Sequence, residues 1–148
     1  MGCPTMDEQQ HGIPVLFPEA DIAERVEELA EEIAQAMPAA REGELLIVSL
    51  LRGSFMFTSD LVRALYRIGV QPQIDFMILS SYQGTTSTKE VTVQREVRGE
   101  AEGKTVLILD DILETGRTLE KAAALLREAG AREVKSCMLL EKPGKLEV

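Results

Sequence analysis

The feature that most constrains the fold is an alternation of short apolar runs with segments of helical periodicity. Apolar runs of four to eight residues are typical of buried strands, whereas the longer amphipathic segments are typical of helices. We predict strands over Leu45–Val48, Ile74–Leu79, Thr105–Leu109 and Val134–Leu140, and helices over Phe55–Ile68 and Thr118–Ala129. Strands that alternate with helices predict a doubly wound α/β domain with a mainly parallel sheet.

The remaining segments complete this domain. Residues 1–18 are polar and contain proline, and we expect an N-terminal arm there. Asp21 and Glu24 form a capping-box-like start to an amphipathic helix that ends near Met37. A Ser/Thr/Gly run over residues 80–88, followed by alternating apolar positions at 91–97, predicts a hairpin that projects from the sheet. With 148 residues in all, we expect one domain over residues 19–148.

Composition narrows the function classes. Hydrophobic residues make up 45% and charged residues 28% of the chain, as in a globular protein with a normal core. The net charge is −9, which argues against broad binding of nucleic acid. Cys3 and Cys137 cannot form a disulfide framework, and neither a secretory signal nor a long apolar span is visible. We therefore expect a cytoplasmic protein without a membrane or nucleic-acid partner.

The strongest motif is VLILDDILETGRTL, residues 106–119. An apolar strand leads into adjacent carboxylates, Asp110 and Asp111, and a third acid, Glu114, follows. Next, Thr115-Gly116-Arg117-Thr118 opens a helix. Backbone N–H groups at a helix start, with two hydroxyls and a permissive glycine, can cradle a phosphate. The paired acids can bind a diol or hold Mg²⁺ through water, so the motif predicts a ribose 5-phosphate site.

A second anion site is predicted where the first strand ends. Leu51, Arg52 and Gly53 lead directly into a helix, and the glycine lets the backbone approach an anion closely. Two anion sites with carboxylates between them indicate a ribose that carries both a phosphate and a pyrophosphate. Gly103-Lys104-Thr105 is not a P-loop, because it precedes a strand rather than following one. His11 is the only histidine, so a Ser-His-Asp triad is not expected.

These motifs resemble the phosphoribosyl-pyrophosphate signature of type I phosphoribosyltransferases. LLRGSFMF, residues 50–57, together with the Ser/Thr arm resembles more narrowly the hypoxanthine(-guanine) phosphoribosyltransferases. The resemblance covers residues 16–142. It implies the fold of that family, with a hairpin flap, and a purine-salvage activity. That activity is Mg²⁺-dependent transfer of phosphoribosyl from phosphoribosyl pyrophosphate to a 6-oxopurine, with release of pyrophosphate. It also implies a homo-oligomer, either a dimer or a tetramer.

The resemblance also implies roles for individual residues. Residues 115–118 would hold the 5-phosphate, and Asp110 and Asp111 would face the ribose hydroxyls and the metal. Residues 51–53 would form the pyrophosphate loop, with a non-proline cis peptide before Arg52. Ser81 and Tyr82 would begin the flap that shields the transition state from water. Lys142 would read the purine 6-oxo group.

The sequence departs from the family pattern in two places. Glu114 stands where many members have the aspartate proposed as general base at the purine N7; we expect it to act as base or hydrogen-bond partner. The family also continues past the position of Val148 with an aromatic residue that stacks on the purine and an aspartate that helps hold Mg²⁺. We therefore expect domain 19–148 to lack this purine-hood segment.

Three alternatives stay open from the sequence. In the first, the protein is a relative that acts on another base, such as xanthine. In the second, the chain binds phosphoribosyl pyrophosphate without completing catalysis. In the third, it is a pyrimidine-responsive RNA-binding regulator of the same fold. The charge of −9 argues against the regulator, which needs a basic face.

Overall fold

A computed structural model describes residues 14–82, 90–95, 97 and 100–147. Every predicted strand and helix is present in this part of the chain. The elements are α1 (Glu19–Ala36), β1 (Leu45–Leu51), α2 (Phe55–Arg67), β2 (Gln73–Tyr82), β3 (Glu90–Arg95), β4 (Thr105–Leu113), α3 (Arg117–Glu128) and β5 (Glu133–Glu141), with a 3-10 turn over Pro38–Ala40.

The strands form one sheet in the order β3-β2-β1-β4-β5. β1 is central and runs parallel to β2 and β4, and β4 runs parallel to β5. Only β3, within the described residues, is antiparallel, and it pairs with β2 as the second strand of a hairpin. The predicted mainly parallel sheet with its hairpin is therefore confirmed.

The core lies on both faces of the sheet, because successive side chains of a strand point to opposite faces. Leu45 and Ile47 of β1 pack with the buried faces of α1 and α2. Leu46 and Val48 pack on the other face with α3, where Leu126 is fully buried. Helices thus cover both faces, which confirms the doubly wound arrangement.

The connections place the ends of β1 and β4 at a topological switch. From β1 the chain passes through α2 to β2 on one side, and the later strands β4 and β5 lie on the other side. In such sheets the crevice at the carboxyl ends of the strands beside the switch binds ligands. The residues that follow β1 and those in the last part of β4 meet at this crevice.

Two details of the prediction are wrong. The capping box at Asp21 and Glu24 does not start α1, which begins at Glu19 after Pro18 without a side-chain cap. The fixed φ of proline, −60° here, suits the entry to a helix, and Ile22 N–H already donates to the Pro18 carbonyl at 3.2 Å. Strand β4 does not end at Leu109 either, because β5 pairs with it as far as Leu113.

Parts of two predicted segments lie outside the described residues. They are residues 1–13 of the N-terminal arm and residues 83–89 of the flap. Ser81 and Tyr82 belong to β2, where their backbones pair with Val91 and Glu90 of β3. Of the helices in the described ranges, none has the length and apolar character needed to span a bilayer.

Candidate active site

The loop after β1 is a tight turn that leads straight into α2. The peptide bond between Leu51 and Arg52 is cis, as the family resemblance implies. Phe55 N–H donates to the Arg52 carbonyl at 3.3 Å, which closes the turn over residues 52–54. Arg52 is exposed to solvent at the carboxyl edge of the sheet. The guanidinium charge is therefore available to an anion that enters the crevice.

Gly53 lies directly against the carboxylate of Asp111. A Cβ atom at position 53 would lie 2.7 Å from Asp111 Oδ2 and 3.1 Å from Oδ1. A Cβ atom at this distance would force the Asp111 carboxylate to shift, so glycine lets the loop and this carboxylate meet in their present positions. The two predicted subsites, the loop after β1 and the acids of β4, are thus adjacent.

Asp110 and Asp111 lie within β4, and the charge of this pair depends on pH. Asp111 N–H donates to Asp110 Oδ1 at 3.0 Å, and Ile112 N–H donates to Asp111 Oδ1 at 3.0 Å. Burial and, to a lesser extent, the neighbouring Asp111 carboxyl together raise the pKa of Asp110 to about 7, against the opposing effect of the Asp111 N–H. A bound cation would favour the charged carboxylate instead.

The start of α3 presents backbone N–H groups to the same edge. The N-cap is Gly116, whose φ of +83° is in the left-handed region that favours glycine. It supplies no side chain to cap the first turn. Arg117 and the half-buried Thr118 follow at once. A helix start of this kind stabilises an anion through its N–H groups and its dipole.

Lys142 and Glu114 form an ion pair at the end of β5. Lys142 Nζ lies 3.0 Å from Glu114 Oε1, and about half of each side chain is exposed. Lys142 N–H also donates to the Leu113 carbonyl at 2.9 Å, so the backbone after β5 is held against the end of β4. The proposed purine-reading lysine and the proposed base therefore stand side by side.

The segment after Lys142 runs along the phosphate turn. Glu147 N–H donates to the Thr115 carbonyl at 3.0 Å. The Glu147 carboxylate lies 2.5 Å from the Arg117 guanidinium, and both side chains are more than 40% exposed. Arg117 therefore has an acidic partner in the structure, so the backbone N–H groups are the more direct anion donors of this turn.

Most of the predicted site residues share one edge of the sheet. Ser81 and Tyr82 lie where β2 ends, three and four residues past Ile78, which pairs with the last residue of β1; their side chains are outside the described part. Within the described ranges no cluster of three or more acidic, His or Cys side chains could hold a metal alone. Mg²⁺ commonly binds one or two carboxylates together with substrate phosphates, so Asp110 and Asp111 fit a metal that the substrate helps to hold.

Sequence reasoning missed a cluster of hydroxyls beneath the loop after β1. Ser49, Ser54 and Thr58 are 0%, 0% and 4% exposed. Ser49 Oγ lies 2.7 Å from Ser54 Oγ and 2.8 Å from Thr58 Oγ1. The available signal was a serine inside the apolar run of β1, at a position where an aliphatic residue is expected.

Two cavities flank β5, and neither contains the acid pair. One, of about 450 Å³, lies between α3 and β5 beside Gly116 and Leu146. The other, of about 330 Å³, lies between α1 and β5 beside Cys137. Burial raises the pKa of the Cys137 thiol to about 11, so this cysteine is an inert core thiol at neutral pH.

Comparisons with known proteins agree with this geometry. The model of the phosphoribosyl transferase domain family matches residues 17–148. A hypoxanthine phosphoribosyltransferase of Haemophilus influenzae is 38% identical over 141 residues, which are 95% of this chain and 77% of the relative. That of Salmonella typhimurium is 40% identical over 143 residues, 94% of this chain and 76% of the relative.

Solved structures show the same likeness. The crystal structure of a hypoxanthine phosphoribosyltransferase from Staphylococcus aureus matches with a TM-score of 0.78 at 38% identity, and the match covers 91% of this chain and 71% of that one. A mutant of the Trypanosoma cruzi enzyme, complexed with the product IMP, matches with a TM-score of 0.82 at 34% identity. That match covers 98% of this chain and 75% of the other.

Proposed function

Since the chain belongs to the phosphoribosyl transferase domain family, we propose that it transfers phosphoribosyl from phosphoribosyl pyrophosphate to hypoxanthine, and to guanine, in purine salvage. The products are IMP or GMP and pyrophosphate. The observation that carries this proposal is the contact of Gly53 with the Asp111 carboxylate, which joins an anion loop to a pair of acids at the switch point. The relatives named as hypoxanthine phosphoribosyltransferases support the choice of base.

The phosphate end of the substrate would lie on the turn over residues 115–118. The N–H groups at the start of α3 point to the carboxyl edge, and Gly116 gives the turn its left-handed step. A 5-phosphate there would replace water on these donors, and the helix dipole would favour its charge. The Arg117 guanidinium would then contact the phosphate, either in place of Glu147 or together with it.

The ribose and its metal would face the acids of β4. Asp110 and Asp111 would accept hydrogen bonds from the ribose hydroxyls and hold Mg²⁺, which would supply charge neutralisation for the pyrophosphate. Because burial raises the pKa of Asp110 to about 7, binding of a cation near neutral pH would release a proton from this pair. The loop over residues 51–53 would bind the pyrophosphate from the other side.

The reaction would be a displacement at C1 of the ribose. The bond from C1 to the pyrophosphate oxygen breaks, the bond from C1 to N9 of the purine forms, and the transition state resembles an oxocarbenium ion. Arg52 would stabilise the departing pyrophosphate. Glu114 would take the proton from the purine N7, while Lys142 would donate to the 6-oxo group. Their ion pair brings acceptor and donor to one place.

The flap and the assembly belong to the same proposal. Ser81 and Tyr82 at the end of β2 would begin the flap that keeps water from the oxocarbenium-like centre. The protein would act in the cytoplasm as a dimer or tetramer, without a nucleic-acid or membrane partner.

The proposal is tested by pyrophosphate release with four bases: hypoxanthine, guanine, xanthine and uracil. We expect release with hypoxanthine and guanine in the presence of Mg²⁺, and loss of release in Asp111→Asn. Asp60→Asn makes the same carboxylate-to-amide change on α2, where Asp60 pairs with Arg63 away from the site; it is the matched control and retains release. Preference for xanthine would change the assigned base, and release with none of the bases would refute the enzymatic proposal.

A further inference from the structure

The loop after β1 rests on three buried hydroxyls. Ser49 belongs to β1, Ser54 is the N-cap of α2, and Thr58 lies in the first turn of α2. All three are shielded from water, and no buried side-chain polar atom in the described residues lacks a hydrogen-bond partner. Their neighbours are otherwise apolar, since Ile47, Phe57 and Leu61 belong to the same buried layer.

The hydrogen bonds run in one direction. Ser54 O–H donates to the carbonyl of Leu50 at 2.5 Å, and each hydroxyl carries only one hydrogen. In the contact of 2.7 Å between Ser49 and Ser54, the donor must therefore be Ser49. In the contact of 2.8 Å between Ser49 and Thr58, the donor must then be Thr58. The chain runs from Thr58 through Ser49 and Ser54 to the Leu50 carbonyl.

This chain is anchored on both sides of the loop. Leu50 immediately precedes residues 51–53, and Ser54 immediately follows them. A serine at an N-cap usually accepts from the N–H groups of its own helix. Ser54 makes no such cap. Its hydroxyl instead ties the end of the loop back to the beginning, so that residues 51–53 span a closed hydrogen-bonded clasp.

The clasp bears on the contact of Gly53 with Asp111. Any outward movement of Ser54 relative to Leu50 would shift the adjacent Gly53, whose backbone approaches the Asp111 carboxylate so closely that a Cβ atom there would lie 2.7 Å from Oδ2. Replacing the three hydroxyls together by apolar groups of similar shape would cost little net stability, whereas removing one alone leaves a buried neighbour without its hydrogen-bond partner. The closed chain of donors therefore serves the position of the loop.

We propose that Ser54 and Ser49 are positioning residues for the pyrophosphate loop, acting through the backbone of residues 51–53; this inference rests on the proposed function. Thr58 is the first donor of the chain, and its loss leaves the bonds from Ser49 to Ser54 and from Ser54 to Leu50 intact. Its contribution is therefore smaller than that of the two serines.

The test compares Ser54→Ala, Ser49→Ala and Thr58→Val in steady-state kinetics. We expect the KM for phosphoribosyl pyrophosphate to rise about tenfold in both serine variants and by less than about threefold in Thr58→Val, with the KM for hypoxanthine unchanged. The matched control is Thr105→Val, which removes a buried hydroxyl at the start of β4, where the site does not reach. It leaves both KM values unchanged.

A second readout needs no turnover. Hydrogen exchange of the amides of residues 52–55 is expected to quicken about tenfold in Ser54→Ala and to stay unchanged in Thr105→Val. If the wild type is active but Ser54→Ala has an unchanged KM for phosphoribosyl pyrophosphate, this inference alone is overturned. Unchanged hydrogen exchange of the loop amides in Ser54→Ala would overturn it in the same way. If the two serine variants lost kcat equally while their KM values for phosphoribosyl pyrophosphate and hypoxanthine stayed unaltered, the hydroxyls would have a purely structural role, and the inference would also be overturned. Absence of transfer by the wild type would instead overturn the proposed function and this inference with it.

Discussion

Replacing Asp110 by asparagine should change how the stability of the ligand-free protein depends on pH. Burial raises the pKa of Asp110 from 3.8 to about 7 in the folded protein. The folded state therefore binds a proton that the unfolded state has already lost, and the free energy of unfolding falls as pH rises from about 4 to about 7. Asp110→Asn removes this titration, so its stability does not fall for that reason.

The expected change in the free energy of unfolding follows from the pH interval over which Asp110 titrates. Between pH 5.5 and a pKa of about 7, one titrating group changes the free energy of unfolding by about 2 kcal/mol, at about 1.4 kcal/mol for each pH unit. Because the Asp110 side chain is partly exposed, screening by water reduces this change in the free energy of unfolding to about 1 kcal/mol. We expect Asp110→Asn to gain about 1 kcal/mol over the wild type between pH 5.5 and pH 8.5.

The assay is urea unfolding followed by circular dichroism at pH 5.5, 7.0 and 8.5, in a chelator and without substrate. Asp111→Asn is the control, because it removes the neighbouring carboxyl but leaves Asp110 buried. Since burial is the largest cause of the raised pKa, this variant should keep most of the pH dependence. A constant difference between Asp110→Asn and the wild type at all three pH values would refute the reasoning.

Four further changes have defined outcomes. Gly53→Ala should push the Asp111 carboxylate away and raise the KM for phosphoribosyl pyrophosphate about tenfold, and an unchanged KM would contradict the contact. Gly116→Ala should cost about 1–2 kcal/mol in urea unfolding because of its φ of +83°, whereas equal stability would show that the turn can relax. Leu61→Ala, at a fully buried position, should cost about 2–5 kcal/mol, and a loss below about 1 kcal/mol would disprove tight packing there. Glu114→Gln should lower kcat about a hundredfold without changing the melting temperature, since its ion pair is exposed; an unchanged kcat would remove Glu114 as base.

The elements of the fold followed from local patterns in the sequence. The apolar runs of β1 and β4 and the periodicity of α2 and α3 are local signals, and burial of alternate residues on both faces of the sheet agrees with them. The extension of β4 to Leu113 was not predictable in this way, because it depends on backbone pairing with β5, which begins twenty residues later. The start of α1 was misjudged because a capping pattern at Asp21 outweighed the simpler signal of Pro18.

The site was predictable as a set of turns but not as a set of contacts. Gly53 and Gly116 were recognisable from their places between strand and helix. The approach of Gly53 to Asp111 depends on the adjacency of β1 and β4, which no local pattern contains. The pairing of Lys142 with Glu114 joins residues 28 positions apart and is likewise a product of the sheet.

A crystal structure of the protein with IMP, Mg²⁺ and pyrophosphate tests the central claim most directly. The account predicts the 5-phosphate on the N–H groups that begin α3, the pyrophosphate against residues 51–53, and the purine 6-oxo group within hydrogen-bond distance of Lys142 Nζ. It also predicts the metal beside Asp110 or Asp111. A nucleotide bound in either cavity beside β5, or a phosphate away from the turn at Gly116, would contradict it.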